Sequence, residues 1–157
     1  MMMLSEHFSL REFTKSDYAI RHGLDNIPSS WEIECMRALC ENVMEPIRLL
    51  CGEKPIIITS GYRSKVVNAG IGGSKTSQHK KGQAADFEVL GMSNKAVINL
   101  IRKSEIPVDQ CIAEFGEEGW NHVSYAKDSV KQRHEFLTAV HVAMGGVRYL
   151  PFEEHTS

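Results

Sequence analysis

A chain of 157 residues with 42% hydrophobic content is long enough for one continuous core and one active site, and too short for several domains. Lys+Arg 18 against Asp+Glu 20 gives a net charge of -2, without the basic face that a nucleic-acid backbone requires. No run of eighteen apolar residues occurs, and the opening Met1-Met2-Met3-Leu4-Ser5-Glu6-His7 lacks the basic and apolar blocks of a secretion signal, so the expected product is cytoplasmic as synthesised and not inserted in a membrane.

In chain order, Phe8 to Phe13 predicts a short helical turn capped by Ser9, and Gly23 to Ser30 reads as loop from its Gly, Asn, Pro and Ser content. Ser29 with Glu32 three residues on forms a capping box for a helix whose stripe is Trp31, Met36, Leu39, Val43 and Ile47, expected to face the core. Pro46 kinks this helix or starts another, and Gly52 ends it. The β-branched run Pro55 to Ser60 predicts a buried strand that delivers Arg63 to its end. The stretch from Asn68 to His79 is glycine- and serine-rich loop.

Ala84 to Leu90 predicts a second strand carrying Asp86, and Ser93 caps a helix with Ala96, Val97, Leu100 and Ile101 on its apolar face. Gln110–Phe115 and Trp120–Tyr125, separated by Gly116-Glu117-Glu118-Gly119, predict a hairpin that returns His122 beside Asp86. From His134 to Phe152 the period does not separate helix from hairpin, although Gly145-Gly146 favours the hairpin. No linker or repeat divides the chain, so one domain over 1–157, with its core at about 8–150, is expected. Cys35, Cys40, Cys51 and Cys111 form no CxxC pair and read as reduced, buried small hydrophobes rather than metal ligands.

The chemistry is concentrated in Ser77-Gln78-His79-Lys80-Lys81-Gly82-Gln83-Ala84-Ala85-Asp86 and in Trp120-Asn121-His122-Val123-Ser124. Two imidazoles, a carboxylate and a further carboxylate nearby are the parts of a zinc site that keeps one position open for water, which points to hydrolysis. His79 and Asp86 are seven residues apart, about 10 Å along a helix axis, which is too far for one helix to bring both to a single ion. A loop-to-strand segment bending at Gly82 turns both inward, with Gly82, Ala84 and Ala85 small because the backbone packs near the metal. Arg63 at a strand end suits a carboxylate or a carbonyl oxygen, its bland alternative being a surface salt bridge. Ser77 binds substrate or caps a turn, Trp120 is expected to pack beneath the ligands, and Ser124 to support one of them.

Ser77-x-His79-x-x-Gly82-x-Ala84-x-Asp86, with Trp120-x-His122-x-Ser124, resembles the signature of the zinc D-alanyl-D-alanine carboxypeptidases and phage L-alanyl-D-glutamate endopeptidases, which cleave peptidoglycan stem peptides. Ser60-Gly61-Tyr62-Arg63-Ser64 and the stretch from Asn68 to Ser74 share the likeness, which runs from about Phe8 to Tyr125 and is greatest to small single-domain phage and prophage members. The resemblance implies a small α+β domain with helices packed on a mainly antiparallel sheet. It implies zinc held by His79, Asp86 and His122, with Arg63 orienting the substrate or polarising its carbonyl. Many members of that family place the catalytic acid three residues before the last histidine, where this chain has Gly119. The general base is therefore expected at Glu114, with Glu118 and Glu117 as alternatives.

The implied function is zinc-dependent hydrolysis of stem peptides by a monomer, with carboxypeptidase and endolysin-type endopeptidase action both open. Such an enzyme reaches the wall only if released, for example during phage lysis. Two rival readings are a catalytically silent zinc module that binds the wall, motivated by Gly119, and a cytoplasmic dipeptidase for D-amino-acid peptides, motivated by the missing signal.

Overall fold

The computed structural model describes residues 1–153; the last four residues of the expected 1–157 domain lie outside the described residues. Local signals set the helices. Ser9 and Glu12 form a reciprocal capping box at α1 (Leu10–Thr14), and Ser16 accepts from the Ala19 amide to start α2 (Asp17–His22), a helix absent from the expected elements. Ser29 and Glu32 form the expected box at α3 (Ser30–Leu39). The axis then runs through a π-helical turn, Cys40–Met44, into α4 (Glu45–Leu50), where Pro46 falls in the first turn. A proline has no N–H to give the preceding turn, and the widened turn, with the Glu45 amide on Cys40 O, absorbs that loss without breaking the helix.

Six strands form one sheet in the order β1-β2-β4-β3-β5-β6: β1 (Ile56–Ser60), β2 (Ala84–Val89), β3 (Gln110–Glu114), β4 (Trp120–Ser124), β5 (Glu135–His141) and β6 (Val147–Pro151). Every pairing is antiparallel except β3 with β5, so the α+β expectation holds. The tail is the hairpin β5–β6, turned by Gly145 and Gly146 at positive φ. The short helix α5 (Lys65–Gly70), capped by Ser64, and α6 (Asn94–Lys103), capped by Ser93, complete the fold. The sequence reading treats part of α5 as loop, because one and a half turns leave no measurable period.

Strand alternation divides the sheet into two faces. Ala85, Phe87, Val89, Cys111, Ala113 and Val123 join the core with Met36, Leu39, Val43 and Ile47 of the α3–α4 rod and Val97, Ile98 and Ile101 of α6. The opposite face carries Asp86, His122, Ile112 and Glu114. Two expected core contacts are corrected: Trp31 is 52% exposed with the Lys127 ammonium over its ring, and Ala96 is exposed while Ile98 takes its place in the α6 stripe. Trp31 sits in the first turn of α3, with its ring open to solvent. All four cysteines are buried and unbridged.

Candidate metal centre

Asp86 and His122 are direct cross-strand partners on β2 and β4, which places their side chains side by side on the open face. His79 arrives from a 3-10 turn, Gln78–Lys81, that Ser77 caps by accepting from the His79 amide. Gly82 ends this turn at φ +68, and a Cβ there would lie 2.5 Å from Glu32 O. The small residue at 82 therefore answers the close approach of α3, not the metal as the sequence reading expects.

The three side chains are buried, and one ligand atom from each lies within 4.8 Å of the others. His79 Nε2 is 3.3 Å from Asp86 Oδ1, close to the roughly 3.4 Å edge of a tetrahedron with bonds of about 2.1 Å. His122 Nδ1 is 2.9 Å from the same oxygen. His79 Nδ1 donates to Gly61 O at 2.7 Å, which fixes the ring and turns its Nε2 lone pair toward Asp86. Burial pushes the His79 ring below its ordinary pKa, against the opposing pull of Asp86, and so favours the neutral, ligating form. Burial works against the Asp86 charge, but the two facing imidazoles outweigh it and hold that carboxyl well below the usual range. Two imidazoles with an ionised carboxylate are a donor set that fits zinc.

Arg63 lies three residues past the end of β1, whose register with β2 shifts between Ile58 and Ser60. Its Nε donates to Ser60 Oγ at 3.2 Å, Nη1 to Asn68 Oδ1 at 3.4 Å and Nη2 to Asp86 Oδ2 at 3.4 Å. Arg63 is thus an inward-facing partner of Asp86 and not a surface ion pair; its side chain is mostly buried.

The ligands open into a groove of about 720 Å³ that Arg63, Ser77, Glu114, Trp120 and Tyr149 help to line. Of the three candidate bases, Glu114 faces this groove. Burial raises its carboxyl above the ordinary value; His122 and Arg63 oppose the shift, and Asp86 adds to it. Glu117 instead accepts from the Asn94 and Lys95 amides at 2.9 and 3.1 Å, capping α6. Glu118 is exposed and does not line the groove. Gly119 has a steric cause, since a Cβ there would fall 1.6 Å from Glu114 O. Trp120 forms a wall of the groove and packs edge-on against Phe115. Ser124 Oγ accepts from the Gln110 amide at 3.0 Å and so supports the sheet, not a ligand.

A profile of the peptidase M15 family matches residues 6–124, about three quarters of the chain, a span that includes His79, Asp86 and His122. The chain belongs to the peptidase M15 family. Over 44 residues the chain is 40% identical to the zinc D-Ala-D-Ala carboxypeptidase of Streptomyces albus G, a stretch that covers 28% of this chain and 17% of that protein. The M15 match stops at the end of β4, so β5 and β6 and the residues they bring to the groove are additions to the matched segment. Leu137 and Tyr149 on these strands, and Arg133 just before β5, are groove residues that sequence reasoning missed. Nothing in their spacing marks them, because the parallel β3–β5 pairing that brings them in joins strands distant in sequence. Buried Asn68 and Asp109 were missed for a similar reason; each orients an arginine at the groove. No helix among the described residues is long and apolar enough to cross a membrane.

Proposed function

We propose that the chain is a zinc peptidase that hydrolyses peptide bonds in peptidoglycan stem peptides. The observation that carries this reading is the buried His79, Asp86 and His122 group at the floor of a groove that also holds Glu114. Family membership and the likeness to a zinc D-Ala-D-Ala carboxypeptidase support the substrate class.

His79 Nε2, an Asp86 carboxylate oxygen and His122 Nδ1 are the proposed ligand atoms. Bound zinc supplies Lewis acidity, which lowers the pKa of water to about 7 and polarises a carbonyl. Glu114 takes the proton of the attacking water and returns it to the leaving amine, a task suited by its raised carboxyl pKa. Arg63, fixed by Ser60, Asn68 and Asp86, orients the peptide and stabilises negative charge developing on the scissile carbonyl oxygen. Ser77 at the groove edge holds the peptide backbone.

The test is mass spectrometry of purified peptidoglycan digested by the zinc-loaded chain, with and without a chelator. Stem-peptide fragments that vanish with chelator and return with zinc are expected. Loss of a terminal D-alanine marks carboxypeptidase action, and a cut within the stem marks endopeptidase action. Wall binding without fragments favours the silent module, and cleavage of free D-dipeptides with the wall intact favours the dipeptidase.

A further inference from the structure

Arg133 lies in the segment after β4, beyond the M15 match, and reaches the groove beside Gln110 and Leu137. Its anchor is unusual for a half-exposed arginine. Asp109, 3% exposed, accepts from Arg133 Nε at 3.1 Å, from Nη2 at 2.7 Å and from the Arg133 amide at 2.9 Å. The same carboxylate accepts from Gln78 Nε2 at 3.0 Å, and Gln78 is the neighbour of His79. The guanidinium is therefore fixed relative to the ligands before any peptide binds, which lowers the entropic cost of using it.

A guanidinium has five N–H donors, and Asp109 occupies the edge formed by Nε and Nη2. Nη1 makes no hydrogen bond among the described residues, so the Nη1/Nη2 end keeps two parallel donors, the fork that accepts a carboxylate bidentately. The side chain is 53% exposed. Arg63, the other cation lining the groove among the described residues, gives one N–H from each nitrogen to Ser60, Asn68 and Asp86, and the two that remain are the ones assigned above to the scissile carbonyl oxygen. Gln110 stands two residues from Ile112, whose cross-strand partner is His122, so this end of the groove is about 7 Å along the strand from the ligand row. That separation is about the span of one peptide residue plus its substituent.

We propose that Arg133 is a substrate-binding residue that selects peptides bearing a carboxylate within about one residue of the bond to be cleaved. This rests on the peptidase reading above and narrows it. The carboxylate has two sources in a stem peptide, a chain terminus or an acidic branch, and the chemistry is shared.

Titration calorimetry on the zinc-loaded chain in a Glu114→Gln background, used to suppress turnover, tests it with three probes. These are N-acetyl-D-alanyl-D-alanine, its C-terminal amide, and an N-acetyl dipeptide amide with glutamate in the second position. An acid is expected to bind about 10- to 100-fold more tightly than the plain amide, as a charge-assisted bidentate pair would give. Tight binding of the first probe alone assigns the terminus, and of the third alone the branch. Arg133→Gln should erase the preference, and Arg133→Lys, which keeps the charge without the fork, should retain only part of it. Unfolding midpoints and zinc content confirm that each variant is folded. The proposal is overturned if acids and amide bind alike in the Arg133 protein, if none binds, or if a folded Arg133→Gln keeps the preference. Equal cleavage of acid and amide peptides by the Glu114 chain would leave the peptidase reading intact and remove this one.

Discussion

Substitution of Gly119 separates the steric account of this position from a catalytic one. An added Cβ would sit 1.6 Å from Glu114 O and 2.8 Å from Glu114 C, both backbone atoms, so the β3–β4 connection has to move by more than 1 Å to admit even a methyl group. Phe115 and Gly116 hold that turn at positive φ, leaving it little slack. Overpacking against backbone belongs at the upper end of the usual cost, about 3 kcal/mol. At about 2–4 °C per kcal/mol for a chain of this size, Gly119→Ala should lower the unfolding midpoint by about 6–12 °C. The same displacement carries the Glu114 side chain with it, and a shift of about 1 Å in a catalytic group costs on the order of 100-fold in kcat. Gly119→Glu, which puts a larger side chain at the same point, should be at least as damaging. Scanning calorimetry and initial rates of stem-peptide hydrolysis read both effects. Wild-type stability in Gly119→Ala, or a gain in rate in Gly119→Glu, would refute the steric argument.

Glu114→Gln should retain zinc, read by elemental analysis, and lose about 100- to 10,000-fold in kcat; near-normal turnover would move the base to another group. Glu117→Ala should lose about 1 kcal/mol of stability with its two amide contacts at the start of α6, and leave kcat within about twofold. Burial opposes the Asp109 charge, but hydrogen bonds from Arg133 and Gln78 outweigh it and hold the carboxyl below its ordinary pKa. The unfolded chain then binds the proton more readily than the folded one. The stabilisation is present above about pH 4 and fades as pH falls through the lower folded value. Melting curves from pH 6 to pH 2 should therefore show a steeper acid loss in the Asp109 protein than in Asp109→Asn, and parallel curves would contradict the assignment.

The residues proposed to hold the metal were legible because their signals are local. Ser77 caps the turn that presents His79, alternation along β2 sends Asp86 away from Ala85 and Phe87, and a single hairpin brings His122 opposite Asp86. The capping pairs Ser9 with Glu12 and Ser29 with Glu32 were readable for the same reason. Hairpin register, which decides that Glu114 faces the groove, was not fixed by residue types, since a one-residue slip reverses every side chain. The role of Glu117 was hidden because its partners belong to α6, more than twenty residues away. Arg133 and Tyr149 reach the groove through a parallel strand pairing that no short motif announces.

The most direct test of the account is zinc K-edge absorption on the purified chain, paired with metal content per chain. One zinc per chain is predicted, with two imidazoles and otherwise oxygen in its shell, and with zinc lost in both His79→Ala and Asp86→Ala. Sulfur in the zinc shell, or full zinc retention in those two variants, would contradict it.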